Sequence, residues 1–187
     1  MTRLVLASAS PRRRELLAAA GFDFEIDAAE VDETPAQGEH PSTYVLRIAR
    51  LKAEAVAARH SDRPVLGADT AVVVGNQMFG KPVDAQDAAR MLTAMSARAH
   101  DVLTGVALAY RGQIYAEFEQ TTVWIAKLMP EEIAWYVASG EPMDKAGAYA
   151  IQGLASRFIP RIEGSYTNVV GLPIARVVQL LGRAGRL

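Results

Sequence analysis

The chain has 187 residues and a formal net charge of -1, enough length for a full core and no basic excess. That balance argues against a general nucleic-acid or membrane-surface binder, so any basic site must be local. Half the residues are hydrophobic, the absence of cysteine excludes thiol chemistry and Cys-type zinc sites, and three widely spaced histidines (His40, His60, His100) argue against a His-based metal site.

The opening stretch, residues 4–17 (LVLASASPRRRELL), carries the first signal. Leu4-Val5-Leu6-Ala7 predicts a short buried strand. Ser10 takes the N-cap of a following helix and Pro11 its first position. Arg12, Arg13 and Arg14 then oppose the helix dipole, which prefers negative charge in a first turn. Such placement costs on the order of 0.3–1 kcal/mol at worst for each cation. Three together predict an anion in front of the helix. Amide N–H groups, the Ser8 and Ser10 hydroxyls and a guanidinium fork would then form a phosphate cradle. A solvated basic first turn is the plain alternative.

Gly21 stops that helix, and 22–26 reads as a strand. Residues 27–41 form an acidic, proline-containing loop with Glu30, Asp32, Glu33 and Glu39. It is either solvated or brings one carboxylate to a site. Ser42 caps a helix to about residue 59, with Val45, Ile48, Ala49, Ala55 and Val56 at helical spacing. Arg47, Arg50 and Glu54 share the opposite face. Lys52 falls inside the apolar stripe, where it either snorkels or is aimed at a buried anion.

Residues 64–74 (PVLGADTAVVV) are the most apolar strand, interrupted by Asp69 and Thr70. A carboxylate there is costly unless paired, hydrogen-bonded or on a metal. It either forms a salt bridge to an internal arginine or serves function; perturbed carboxylates gather at sites, which favours the second. Gly75-Asn76 turns the chain into a return strand ending FGKP. Gly80 and Pro82 bracket Lys81, which suits a phosphate or is an exposed turn lysine.

A helix follows over 84–96, with Ala88, Met91, Leu92 and Met95 apolar. Two strands, 100–110 and 114–128, are joined by a hairpin at Arg111-Gly112, with Glu117 and Glu119 expected to face solvent. A helix over 130–139 ends at Gly140. Residues 141–153 (EPMDKAGAYAIQG) set Asp144, Lys145 and Gln152 among small residues that admit close approach to a ligand. Residues 157–170 read as a strand and a turn at Gly164-Ser165-Tyr166. Pro173 opens a last helix with Ile174, Val177, Val178 and Leu181 on one face. The alternation predicts one α/β domain over 1–187, a mixed sheet covered by helices. No N-terminal apolar leader and no run of about 18 apolar residues appears, which predicts a soluble cytoplasmic protein.

Several cations with one or two carboxylates suit a polyphosphate ester and a divalent metal. Neither a Walker A loop nor a dinucleotide fingerprint is present. SASPRRRELL, VLGADTAVVV, FGKP, EPMDKAGAYAIQG and GSYTNVVGLP, in this order over nearly the whole chain, resemble the Maf family of nucleoside triphosphate pyrophosphatases. The resemblance implies an elongated α/β fold with a mixed sheet, related to inosine-triphosphate pyrophosphatase, with two lobes, a central cleft and frequently a homodimer. It implies hydrolysis between the α and β phosphates to a nucleoside monophosphate and pyrophosphate, with Mg²⁺, or Mn²⁺ or Co²⁺ in its place.

By the family pattern Asp69 is the general base or acts mainly through the metal, and Glu33 assists at the metal. Arg13, Lys52 and Lys81 neutralise the triphosphate, and Ser8 and Ser10 position it. Arg12, Thr70 and Gln152 match positions that set base preference and place the chain in the branch acting on dTTP and UTP. Gln152 offers both a donor and an acceptor to a pyrimidine edge. The rival readings are the same chemistry on 7-methyl-GTP, CTP or a damaged nucleotide, and a nucleotide-binding regulator of septum formation. No nucleic-acid or membrane partner is expected.

Overall fold

The computed structural model describes residues 3–186. Its strands and helices form a mixed α/β protein with one seven-stranded sheet. The strands are β1 (Leu4–Leu6), β2 (Phe24–Ile26), β3 (Val65–Val74), β4 (Gln77–Phe79), β5 (Ala99–Tyr110), β6 (Gln113–Trp124) and β7 (Arg161–Glu163). The helices are α1 (Pro11–Ala19), α2 (Pro41–Ala57), α3 (Ala85–Met95), α4 (Pro130–Ala138), α5 (Tyr166–Val170) and α6 (Ile174–Arg183). The strand order is β2-β1-β3-β5-β6-β7, with β4 hydrogen-bonded to β3. β1 runs parallel to β2 and β3, whereas β4 and β7 pair antiparallel. No helix among the described residues is long and apolar enough to cross a membrane.

The chain divides into two compact units. The first comprises Met1–Thr70, Thr104–Glu119 and Gly171–Leu187. Its sheet is covered on both faces, so β1 is apolar without alternation. Leu4 and Leu6 meet Leu17 of α1 and Val177, Leu180 and Leu181 of α6. Val5 and Ala7 meet Ala49, Ala53 and Val56 of α2. Two glycines let α2 settle directly on strand backbone. A Cβ on Gly67 would stand 2.2 Å from the Ala49 carbonyl oxygen, and one on Gly105 would stand 2.2 Å from that of Val45.

Two expectations are corrected here. The N-cap of α2 is His40, whose Nδ1 accepts from the Ser42 N–H, so Ser42 already lies in the first turn behind Pro41. Glu117 and Glu119 are half-buried under α6, paired with Arg183 at 2.7 Å and Arg176 at 2.6 Å. The alternation of β6 therefore turns Ile114 and Phe118 outward instead. The hairpin at Arg111-Gly112 is as expected: both residues have positive φ, the geometry that matches strand twist.

The second unit comprises Ala71–Leu103 and Gln120–Val170. Its core gathers Phe79, Met91, Leu92, Met95, Tyr136 and Phe158. β6 ends at Trp124, short of residue 128, because the Ile125 and Ala126 N–H groups turn to the Arg98 and Phe158 carbonyls. Residues 157–170 hold the end of a 3₁₀ helix (Leu154–Phe158), the short β7 and then a helix, α5, where a strand and turn are expected. The reason is Asn168, fully buried, whose amide donates to the Val102 carbonyl and the Thr121 hydroxyl, both at 2.9 Å. Ser165 Oγ accepts from the Asn168 N–H and fixes the start of that helix.

His100 is buried in this unit, with Nε2 2.8 Å from the Tyr149 hydroxyl and Nδ1 without a partner. Burial holds its pKa down at about 4. The unfolded chain therefore binds the proton first, and stability is lost as pH falls from the ordinary histidine value toward 4. Between pH 7.5 and 5 the loss is about 2 kcal/mol. Denaturant titrations of wild type and His100→Gln at both pH values check it, the variant showing a flatter pH dependence.

Candidate active site

The site grows from the period of two along β3. Val65 packs with the α2 cluster, whereas Leu66 and Ala68 pack with the α1–α6 cluster. Continued to the end of the apolar run, this alternation puts Asp69 on the α2 face and Thr70 on the α1 face. Each meets a buried cation there.

On the α2 face, Lys52 comes down from the apolar stripe and is only 7% exposed. Its Nζ lies 2.8 Å from Asp69 Oδ1 and 2.8 Å from Glu33 Oε1. The close seat of α2 on Gly67, two residues before Asp69, makes this reach possible. Asp69 is 6% exposed, and burial pushes its carboxyl above the usual range, offset by Lys52 and Arg13. The partner of Asp69 is thus a lysine rather than the internal arginine weighed from sequence.

On the α1 face, Arg13 is buried, and each of its nitrogens donates to a neutral oxygen. Nε bonds the Gly171 carbonyl at 2.9 Å, Nη1 the Ser8 hydroxyl at 3.0 Å and Nη2 the Thr70 hydroxyl at 3.2 Å. Gly171 has φ 122°, a conformation that favours glycine. Burial lowers the Arg13 pKa, and the charges of Asp69 and Glu33 oppose that effect. A buried guanidinium bonded only to neutral groups keeps its charge available to an anion. Thr70 Oγ1 also lies 2.9 Å from Thr104 Oγ1.

Ser10 adopts N-cap backbone angles but makes no side-chain cap bond; its N–H donates to Ser8 Oγ at 3.3 Å. Arg12 is half-buried, and its charge acts against that of Arg13. Ser8, Arg13 and Thr70 thus gather on the α1 face and Glu33, Lys52 and Asp69 on the α2 face, all in the first unit, and the charges of Asp69 and Glu33 are felt at Arg13. Lys81 and Gln152 belong to the second. Lys81 is exposed beyond β4, where the neighbouring Gly80 carbonyl accepts from the Gly147 N–H at 3.0 Å. Gln152 is exposed in a turn closed by the Gly153 N–H on the Ala150 carbonyl at 3.0 Å.

The sequence shows Arg47 on a polar helix face and Glu39 in the acidic loop but not that they meet, and the two hold that loop in place. Arg47 donates twice to the Glu39 carboxylate, both at 2.7 Å, and once to the Thr34 carbonyl. The Tyr44 hydroxyl donates to the Glu33 carbonyl at 3.1 Å. Burial, with Asp69 and Glu33 nearby, pushes the Tyr44 pKa up to about 12. These contacts bring Glu33 to Lys52. A tyrosine and an arginine three residues apart in the first turns of a helix below an acidic loop are the only sequence trace.

Among the described residues no group of three His, Cys, Asp or Glu forms a metal-ligand set. Glu33 and Asp69 do present two carboxylates to one cation, Lys52 Nζ. Mg²⁺ commonly takes one or two protein carboxylates and fills its shell with water and phosphate oxygens. The donor set fits a hard divalent cation whose remaining ligands are water or phosphate oxygens.

A family model described as Maf-like protein matches residues 3–184. A dTTP/UTP pyrophosphatase of Myxococcus xanthus is 54% identical, covering 98% of this chain and 93% of its own length. Those of Koribacter versatilis and Geobacter sulfurreducens are each 52% identical, over 98% and 99% of this chain and 95% and 98% of their own. A solved HAM1 protein from Coxiella burnetii superposes with a TM-score of 0.51 at 14% identity, over 98% of this chain and 100% of that one. That likeness speaks for the fold alone.

Proposed function

This chain belongs to the Maf family, and on that premise we propose that it hydrolyses dTTP and UTP to the nucleoside monophosphate and pyrophosphate. Water attacks the α-phosphorus, and the bond to the oxygen bridging α and β phosphates breaks. Pyrophosphate leaves with that oxygen. The observation that carries this reading is the buried Asp69 carboxylate, 2.8 Å from Lys52 Nζ and within the field of Arg13. A desolvated carboxylate beside fixed cations can take a proton from water while the cations hold phosphate oxygens.

The roles follow from these surroundings and from the family pattern. Ser8, Ser10, Arg13, Lys52 and Lys81 bind and neutralise the triphosphate. Asp69 and Glu33 would hold a divalent cation, and such a cation would supply Lewis-acid polarisation of phosphate oxygens. Arg12 and Gln152 take the base-selecting roles of the pyrimidine branch. The Thr70 hydroxyl is occupied by Arg13 and Thr104, so we assign it to orienting Arg13 rather than to reading the base. A homodimer and a cytoplasmic location complete the proposal, by family resemblance.

Pyrophosphate release from a panel of triphosphates, first with Mg²⁺ and then with EDTA, tests the reading. The expected kcat/KM for dTTP and UTP exceeds that for CTP and 7-methyl-GTP by at least about tenfold, since unpaired polar groups penalise the wrong base. EDTA abolishes release. Equal turnover of all bases, or release that survives EDTA, overturns the specificity or the metal assignment respectively.

A further inference from the structure

We infer that Glu141, oriented by the Tyr136 hydroxyl, is the positioning residue that holds Gln152 and through it sets base selection. The inference rests on the reading that Gln152 contacts the base.

Gln152 lies in the turn 150–153, on the third of its four residues, and this turn is tied down on both sides. Before it, the Ala150 N–H donates to the Tyr136 hydroxyl at 3.2 Å. After it, the Leu154 N–H donates to Glu141 Oε2 at 3.0 Å and the Ala155 N–H to Oε1 at 3.4 Å. Tyr136 and Glu141 are themselves joined, the hydroxyl donating to Oε1 at 2.8 Å. One tyrosine–carboxylate couple thus grips both ends of the segment bearing Gln152.

The couple is rigid where it needs to be. Tyr136 is fully buried on α4, and burial together with Glu141 keeps its hydroxyl protonated as a donor. Glu141 stands against Gly153 so closely that a Cβ there would lie 2.1 Å from Oε2. Gly153 is therefore the residue that admits the carboxylate, and Gln152 is its neighbour. A glutamine side chain that must present a donor and an acceptor in fixed directions gains selectivity only if its backbone is held. The Glu141 carboxylate accepts all three bonds here and is a positioning group with no contact to substrate required.

The test measures kcat and KM for dTTP and CTP in Glu141→Ala, Glu141→Gln, Gly153→Ala, Gln152→Ala and the Glu141→Ala/Gln152→Ala double variant. Glu141→Ala and Gly153→Ala are expected to lower the dTTP preference by about tenfold, chiefly through KM for dTTP. Glu141→Gln, which keeps an oxygen acceptor for Leu154, falls part of the way. In the Gln152→Ala background, Glu141→Ala changes the preference no further. A mere loss of folded protein lowers turnover of both nucleotides alike and leaves their ratio intact. If Glu141→Ala does not fold, the Gly153→Ala and Glu141→Gln ratios decide. An unchanged ratio in the folded variants, with Gln152→Ala still losing preference, overturns the clamp. An unchanged ratio in Gln152→Ala overturns instead the assignment of Gln152 to the base.

Discussion

Replacing Asp69 with asparagine is expected to cut dTTP turnover by about 10³-fold, the range in which loss of a positioned general base falls. Asparagine has the size of aspartate and none of its basicity, and it is a poor ligand for a hard cation. Both roles open to Asp69 therefore vanish together. Binding is expected to survive, because Arg13 keeps its bonds to Ser8, Thr70 and Gly171. The loss then appears in kcat, with KM changed by less than about threefold. Stability also stays close to wild type. The substitution relieves the burial of a charge whose pKa is raised by that burial, and Lys52 retains Glu33 as a partner. Steady-state kinetics, calorimetric nucleotide binding and a thermal melt on the same preparation decide the matter. Turnover within about tenfold of wild type removes Asp69 from the chemistry. A variant that binds dTTP, turns over nothing and keeps a full effect on septum formation in cells would favour a binding regulator over an enzyme.

How much of this could be read before the fold was known depends on what kind of contact makes each part. β1, α1 and β3 were legible because burial on both faces imposes an unbroken apolar run, and because Ser10-Pro11 opens a helix through purely local geometry. Lys52 and Asp69 stood out for the complementary reason: each is a charge where the local pattern demands an apolar side chain. Their pairing at 2.8 Å was not legible, since it depends on α2 resting on Gly67 and Gly105. The same limit explains α5. Its five residues carry no helical signature, and Asn168 holds them by bonds to Val102 and Thr121, far away in sequence. Strand alternation gives two faces but not their identity, so it does not tell that Glu117 and Glu119 lie on the covered one; the arginines of α6 decide that. Glu141 carries no local signal within a block rich in small residues, since two of its three partners are backbone N–H groups that any sequence supplies and the third, the Tyr136 hydroxyl, is brought to it by the fold.

Lys52→Met should destabilise the protein by about 3 kcal/mol at neutral pH, because removing one partner of a buried ion pair leaves the other uncompensated. Methionine matches the lysine stem and suits the apolar stripe of α2, so packing contributes little to the loss. What remains is Asp69, buried, with Glu33 beside it and Arg13 as the compensating cation nearby. Lys52 lowers the Asp69 pKa, so its removal raises that pKa further. The folded variant then holds a proton at pH values where the unfolded chain has released it. Its stability relative to wild type therefore recovers as pH falls through the folded-state pKa and is lost as pH rises. Taking the difference between variant and wild type removes the His100 contribution, which has the opposite sign. Two further measurements separate charge from shape. Adding Asp69→Asn to Lys52→Met should restore most of the stability, a coupling that independent sites would not show. Mg²⁺ should raise the melting temperature of Lys52→Met more than that of wild type, because two carboxylates without their lysine offer a cation more than two already engaged. A variant as stable as wild type at pH 7.5, or one insensitive to both the second substitution and Mg²⁺, would show that Lys52 does not hold the carboxylates together in solution.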